Sequence, residues 1–160
     1  MSSPTEARRT EPTRVAGLSV RTNNAGEADG STARIPGLWS RFMEDDLSGQ
    51  LERIGALGPT VAVYHNYASD VSGDYRLLVG REIPGATGIP AELDSVEVSP
   101  GRYLVFTFTG EIPGVVIDGW QQVWKYFARP RREQRGYTAD LEIYRSDGNG
   151  VEIWIAVHEA

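Results

Sequence analysis

Cysteine is absent from this 160-residue chain, which excludes disulfides, thiolate metal sites and thiol nucleophiles and fits a reducing compartment. Histidine is scarce. His65 and His158 are too few for an imidazole cage, so no metal site is expected. Positive charge is in deficit too, with 16 Lys and Arg against 22 Asp and Glu and a formal net charge of −6. Phosphate backbones demand a concentrated basic surface, so no direct nucleic-acid partner is expected. The single basic cluster, Arg129, Arg131, Arg132 and Arg135, reads as solvated cations at a helix exit. The chain has no apolar run of membrane-spanning length, and its N-terminus lacks the apolar stretch of a signal peptide. No membrane partner and a cytoplasmic location are the resulting expectations. A phosphate-binding loop, a dinucleotide glycine fingerprint, HExxH and a nucleophile elbow are all missing, and no cofactor is expected.

What the chain does have is an internal repeat. Ile35-Pro36-Gly37 recurs as Ile112-Pro113-Gly114, 77 residues on, and Tyr67, Ser69, Asp70 and Gly73 recur at the same offset as Tyr144, Ser146, Asp147 and Gly150. Upstream, "RVAGLSVR" from Arg14 matches "RYLVFTFT" from Arg102 at an offset of 88, and one 11-residue insertion within Thr22 to Arg34 reconciles the two registers. The expected organisation is a polar, disordered tail over residues 1–6 and one domain over 7–160, built of pseudo-repeats 7–83 and 93–159. A duplication of this kind predicts a cleft between like halves, a common place for a ligand.

Each half carries the same local signals. Ala16, Leu18 and Val20 alternate along one face of the first strand, and Leu104, Phe106 and Phe108 match them in the second half, marking the core face of both. The polar stretch Thr22 to Arg34 reads as a mobile surface loop. Pro36 opens a helix whose apolar stripe is Trp39, Met43, Leu47, Leu51 and Ile54, with Ser48-Gly49 as the place where it bends or splits. Strands follow at about 60–68 and 74–82, then at about 93–99 and 102–109, the latter two joined as a hairpin at Pro100-Gly101. A second helix opens at Pro113, with Val116, Trp120, Val123, Trp124 and Phe127 along its stripe, and strands at about 137–145 and 150–158 close the chain. The fold class is α+β: duplicated β-α-β-β units forming an antiparallel sheet with two helices on one face and a central cleft.

Glu142, flanked by Leu141 and Ile143 in the middle of a strand, is the residue that most invites an explanation. Alternation allows Asp140, Glu142 and Tyr144 to line the solvent face. It equally allows Glu142 to face the cleft, where a carboxylate without a partner has a raised pKa and attracts a cation. At offset 77 His65 is its counterpart in the other half, which raises an acid/base pairing. Four Trp and seven Tyr beside only four Phe supply flat faces for cation–π contact. Trp39, Tyr64, Tyr103, Trp120, Tyr137 and Trp154 are the candidate cleft walls.

The segments "RVAGLSVRTNN", "IPGLWSRF", "YHNYASDVSGDYRLLVGREI", "SPGRYLVFTFTGEIPGVVIDGWQQVWKYF" and "YTADLEIYRS…VEIWIAV" together resemble the GyrI-like effector-binding family over about residues 7 to 158. That family includes effector domains of AraC-type and MerR-type regulators and free-standing integron-cassette proteins that bind cationic drugs. The resemblance implies two fused β-α-β-β units around a cleft where aromatic side chains and a glutamate, here Glu142 of "DLEIY", hold lipophilic cations. It further implies a stand-alone effector-binding or drug-sequestering module, because no helix-turn-helix precedes the first matched strand. A transcription regulator as partner, or a protein-interaction module that antagonises DNA gyrase, is the alternative it implies. Family members resembling hydrolases of electrophilic toxins keep an enzymatic reading open, with Glu142 as base and a tyrosine such as Tyr137 as proton donor.

Overall fold

The computed structural model describes residues 3–56, 58–85 and 88–158. Eight strands form one antiparallel sheet: β1 (Thr5–Arg9), β2 (Thr13–Thr22), β3 (Thr60–His65), β4 (Tyr75–Ile83), β5 (Asp94–Val98), β6 (Gly101–Thr109), β7 (Ala139–Tyr144) and β8 (Gly150–Ala156), in the order β1-β6-β8-β7-β3-β4-β2-β5. The central pair is β7 and β3, and to either side the strands run β8-β6 and β4-β2, so the expected twofold layout is present. The helices are α1 (Asn24–Ala28), α2 (Ile35–Glu44), α3 (Leu47–Arg53) and α4 (Gly114–Ala128).

β1 and β5 open the two halves and cross between them, each pairing with a strand of the other half. β1 pairs with β6, ending at Arg9 opposite Gly101, while β2 pairs with β5, starting at Thr13 opposite Val98. Four residue steps reach at most about 14 Å. In a flat sheet β1 and β2 would stand about 29 Å apart, six spacings of about 4.8 Å. The sheet therefore curls until its two ends meet. This arrangement corrects two expectations. Thr5 and Glu6 belong to a strand rather than to a disordered tail, and Pro100-Gly101 joins two strands that pair with other partners instead of with each other.

Curling gives the sheet two apolar faces. The outer one carries Ala16, Leu18, Leu104 and Phe106, as the alternation indicated, and packs under Leu38 and Phe42 of α2, Leu47 and Leu51 of α3, and Trp120 and Val123 of α4. The inner one holds Val15, Val61, Val63, Tyr103, Leu141 and Ala156. The α2 stripe is rotated by one residue from the expected set: Leu38 and Phe42 are buried, whereas Met43 is 71% exposed. The helix breaks at Asp46, whose φ of 48° is left-handed, instead of at Ser48-Gly49. Thr22 to Arg34 is not a loose loop either. It contains α1, and the Glu27 carboxylate accepts from the backbone N–H groups of Arg34 and Ile35, tying that turn to the start of α2.

The β2–β4 pairing passes through Gly17 opposite Gly80. A Cβ on Gly17 would lie 1.9 Å from the Val79 carbonyl oxygen, and one on Gly80 1.8 Å from that of Ala16. Gly17→Ala must push the strands apart, with an expected loss of about 2–3 kcal/mol. A urea midpoint unchanged from the parent would contradict this packing.

Candidate functional site

Strand parity decides which side chains meet. Antiparallel partners share a face, so the pairs Ala62–Glu142 and Tyr64–Asp140 both lie on the helix side. Glu142 is 1% exposed and Asp140 is fully buried. Neither lines a solvent face, because α4 and the surrounding aromatic side chains cover that part of the sheet.

Glu142 sits among neutral donors drawn from three elements. Its Oε2 accepts from the Tyr64 hydroxyl at 2.6 Å and from Trp120 Nε1 at 2.6 Å, and its Oε1 accepts from the Tyr144 hydroxyl. Burial raises the Glu142 pKa, and the three hydrogen bonds oppose that rise. Burial, followed by the adjacent carboxylate, pushes the Tyr64 and Tyr144 hydroxyls well above the usual phenol range, so both remain protonated donors. Among the described residues Glu142 has no cationic partner.

Asp140 is held differently. Its Oδ1 accepts from the Ala156 backbone N–H at 2.9 Å, and its Oδ2 from Arg135 Nη2 at 2.7 Å and from the Tyr67 hydroxyl. The pair is deeply buried, with side-chain exposures of 7% for Arg135 and 0% for Asp140. Burial is the largest influence and works against the Arg135 charge, but Asp140 together with Tyr67 and Tyr137 outweighs it and raises the guanidinium pKa.

Above these two carboxylates lies a cavity of about 430 Å³ between α1 and α4, with Tyr64, Tyr67, Tyr75, Trp120, Trp124 and Arg135 in its wall. The rings form a connected belt. Trp120 stands 6.2 Å from Trp124 and 5.0 Å from Tyr64, and Tyr75 lies 5.4 Å from Tyr64 and 6.0 Å from Tyr67, centroid to centroid. Tyr137 extends the belt at 5.5 Å from Tyr67 and lies 4.4 Å beneath the Arg135 guanidinium. Glu142 does not open onto the cavity directly; Tyr64 and Trp120 hold it from above. Among the described residues no cluster of His, Asp or Glu has the makings of a metal site, and no helix is long and apolar enough to cross a membrane.

Of the residues singled out from sequence, Glu142, Tyr64, Trp120 and Tyr137 converge here. Trp39 stands behind them, edge-on to Tyr144 at 5.2 Å and not in the cavity wall. His65, Tyr103 and Trp154 are on the opposite face of the sheet. Tyr103 packs against Trp154 at 5.8 Å, and it lines an inner groove together with His65. The pairing of His65 with Glu142 therefore fails, and the reason is parity. Ala62, Tyr64, Leu77 and Val79 face the helices, yet the residues 77 positions on, Ala139, Leu141, Trp154 and Ala156, face the inner side. In these strands the offset of 77 therefore aligns the halves one residue out of step, and a one-residue slip exchanges the faces.

Tyr67, Tyr75, Trp124, Asp140, Arg135 and Tyr144 escaped assignment to the site. Signals for some of them existed. Asp140 and Tyr144 alternate with Glu142, and Trp124 follows Trp120 by one helical turn. Arg135 had none, since it was grouped with solvated arginines.

Over 98% of its length the chain superposes on 96% of a crystal structure of an integron cassette protein from the mobile metagenome of Vibrio cholerae, with a TM-score of 0.80 and 36% identity. It covers 94% of the structure of SAV2435 bound to tetraphenylphosphonium, with a TM-score of 0.72 but 18% identity, a likeness of fold alone. YobU of Bacillus subtilis, described as a candidate transcriptional regulator, is 32% identical over 132 residues, which are 82% of this chain and 80% of YobU. Residues 8–157 match the family described as integron-associated effector binding protein. The chain belongs to that integron-associated effector binding family, within the GyrI-like effector-binding group that its motifs resemble.

Proposed function

We propose that this chain is a binding module for lipophilic organic cations, acting as an effector-binding or drug-sequestering protein. One observation carries the reading: a fully buried carboxylate, Glu142, sits beneath an aromatic cavity with three neutral donors and, among the described residues, no cation. A buried anion left in that state is costly, and a cation seated on Trp120 and Tyr64 would offset the cost while gaining attraction from the ring faces. Both oxygens of Glu142 are already engaged by aromatic donors, which suits a fixed counter-charge better than a base that must reach water. The fold shared with a tetraphenylphosphonium-bound protein supports the same ligand class.

Charge selectivity is the test. Tetraphenylphosphonium at 100 times its Kd should stabilise the protein by about 2.7 kcal/mol in a thermal melt. Tetraphenylborate, equal in shape and opposite in charge, should leave the melt unmoved. Equal stabilisation by both ions, or by neither, would sink the reading.

A further inference from the structure

Arg135 sets a second requirement on the ligand, one that the cation reading does not contain. Arg135 is part of the cavity wall, and its side chain is only 7% exposed. One hydrogen bond, from Nη2, goes to Asp140. Its Nε–H is buried and has no acceptor. A charged donor deprived of both water and a partner is a costly arrangement for a fold to keep, and it marks a place where an acceptor is missing. Asp140 bonds on one edge and Tyr137 lies against the guanidinium face at 4.4 Å, and the cavity that Arg135 lines is the place where a ligand can bring an acceptor to it.

Charge decides what kind of acceptor fits. Asp140 already neutralises Arg135 at 2.7 Å, and Glu27 and Asp70 also line the cavity. A second carboxylate brought to Arg135 would meet repulsion from all three. A neutral carbonyl oxygen would accept from Nε without that penalty. Trp120 ties the two ends of the site together, with its Nε1 bonded to Glu142 and its ring 5.9 Å from the Arg135 guanidinium.

We infer that the preferred ligand is a lipophilic cation that also carries a neutral carbonyl-type hydrogen-bond acceptor, its cationic centre over Trp120 and its carbonyl oxygen on Arg135. This inference rests on the cation-binding reading. A matched ligand set separates the failure of one from the failure of the other. (4-Acetylphenyl)triphenylphosphonium and (4-isopropenylphenyl)triphenylphosphonium differ only by an oxygen in place of a methylene, and (4-carboxyphenyl)triphenylphosphonium adds an anion at the same position.

By calorimetric titration the acetyl compound should bind about tenfold more tightly than the isopropenyl one, the order expected for one hydrogen bond from a charged donor. It should also bind more tightly than the carboxylate. The acetyl preference should fall to within twofold in the double variant Arg135→Met with Asp140→Asn, which replaces the buried pair by neutral side chains of similar size. Equal affinity for the acetyl and isopropenyl compounds in the parent protein would overturn the inference and leave cation binding intact. So would the carboxylate binding best, or the acetyl preference surviving in the double variant. No binding of any of the three would remove both readings together.

Discussion

Glu142→Gln should weaken tetraphenylphosphonium binding about 100-fold while leaving the ligand-free protein at least as stable as the parent at neutral pH. The first half follows from Coulomb attraction. A cation about 6 Å from the carboxylate, at an effective dielectric constant of about 20, gains about 2.8 kcal/mol, and the neutral amide forfeits it. The second half follows from the sign of the pKa shift. Burial raises the folded-state pKa of Glu142 above its unfolded value. The group thus contributes its full stability below the unfolded pKa, near 4.5, and that contribution is lost as pH rises through the raised folded value. Above that window the ionised, buried carboxylate is a liability that glutamine lacks, and the amide oxygen can still accept from Tyr64 and Trp120. A mutation that merely damaged packing would lower affinity and melting temperature together. The expected pattern is opposite movement, and a Gln variant that melts well below the parent at pH 8 would refute it.

Cation affinity in the parent protein should carry the same signature. A cation favours ionised Glu142, so affinity should be flat at high pH and fall about tenfold for each pH unit below the raised pKa. In the Gln variant the profile should be flat across that range. Titrations from pH 4.5 to 8 would check both curves.

Asp140→Ala should have the larger effect on stability, a loss of about 3–5 kcal/mol. The substitution leaves Arg135 as a buried cation with no counter-charge, strips the Tyr67 hydroxyl of its acceptor, and orphans the Ala156 N–H at the C-terminal end of β8. Asp140→Asn keeps one oxygen, which can still accept from the Ala156 N–H or from the Tyr67 hydroxyl, so a smaller loss is expected. The order Ala worse than Asn worse than parent in urea unfolding would confirm it. A loss under 1 kcal/mol for Asp140→Ala would mean that Arg135 finds water or another acceptor, and would weaken the case for its unpaired Nε as a ligand contact.

Two carboxylates two residues apart thus have opposite roles on one face of β7. Asp140 is matched within the chain by an arginine, and its contribution is to the fold. Glu142 is matched only by neutral donors, and the missing cation is the proposed ligand's to supply. That division was not readable from "DLEIY". Alternation placed Asp140 and Glu142 on one face, but it could not say that the face was buried. Nor could it say that Arg135, five residues before Asp140, turns inward while Arg131 stays exposed over the Tyr126 ring.

The sequence by itself determined the local elements and the kind of protein they make. Pro36 at a helix start and the alternation of Ala16, Leu18, Leu104 and Phe106 are set by backbone preferences within a few residues, so they were legible in order along the chain. The run of motifs was specific enough to identify the family and to single out Glu142. Only the tertiary structure decided which strands exchange partners, which face each residue takes and what surrounds the glutamate. Register in a sheet is a long-range property, and a slip of one residue moves every side chain to the other face. An ungapped offset of 77 therefore carried His65 away from Glu142. The donors that hold the carboxylate, Tyr64 and Trp120, come from 78 and 22 residues away, where no local rule could join them.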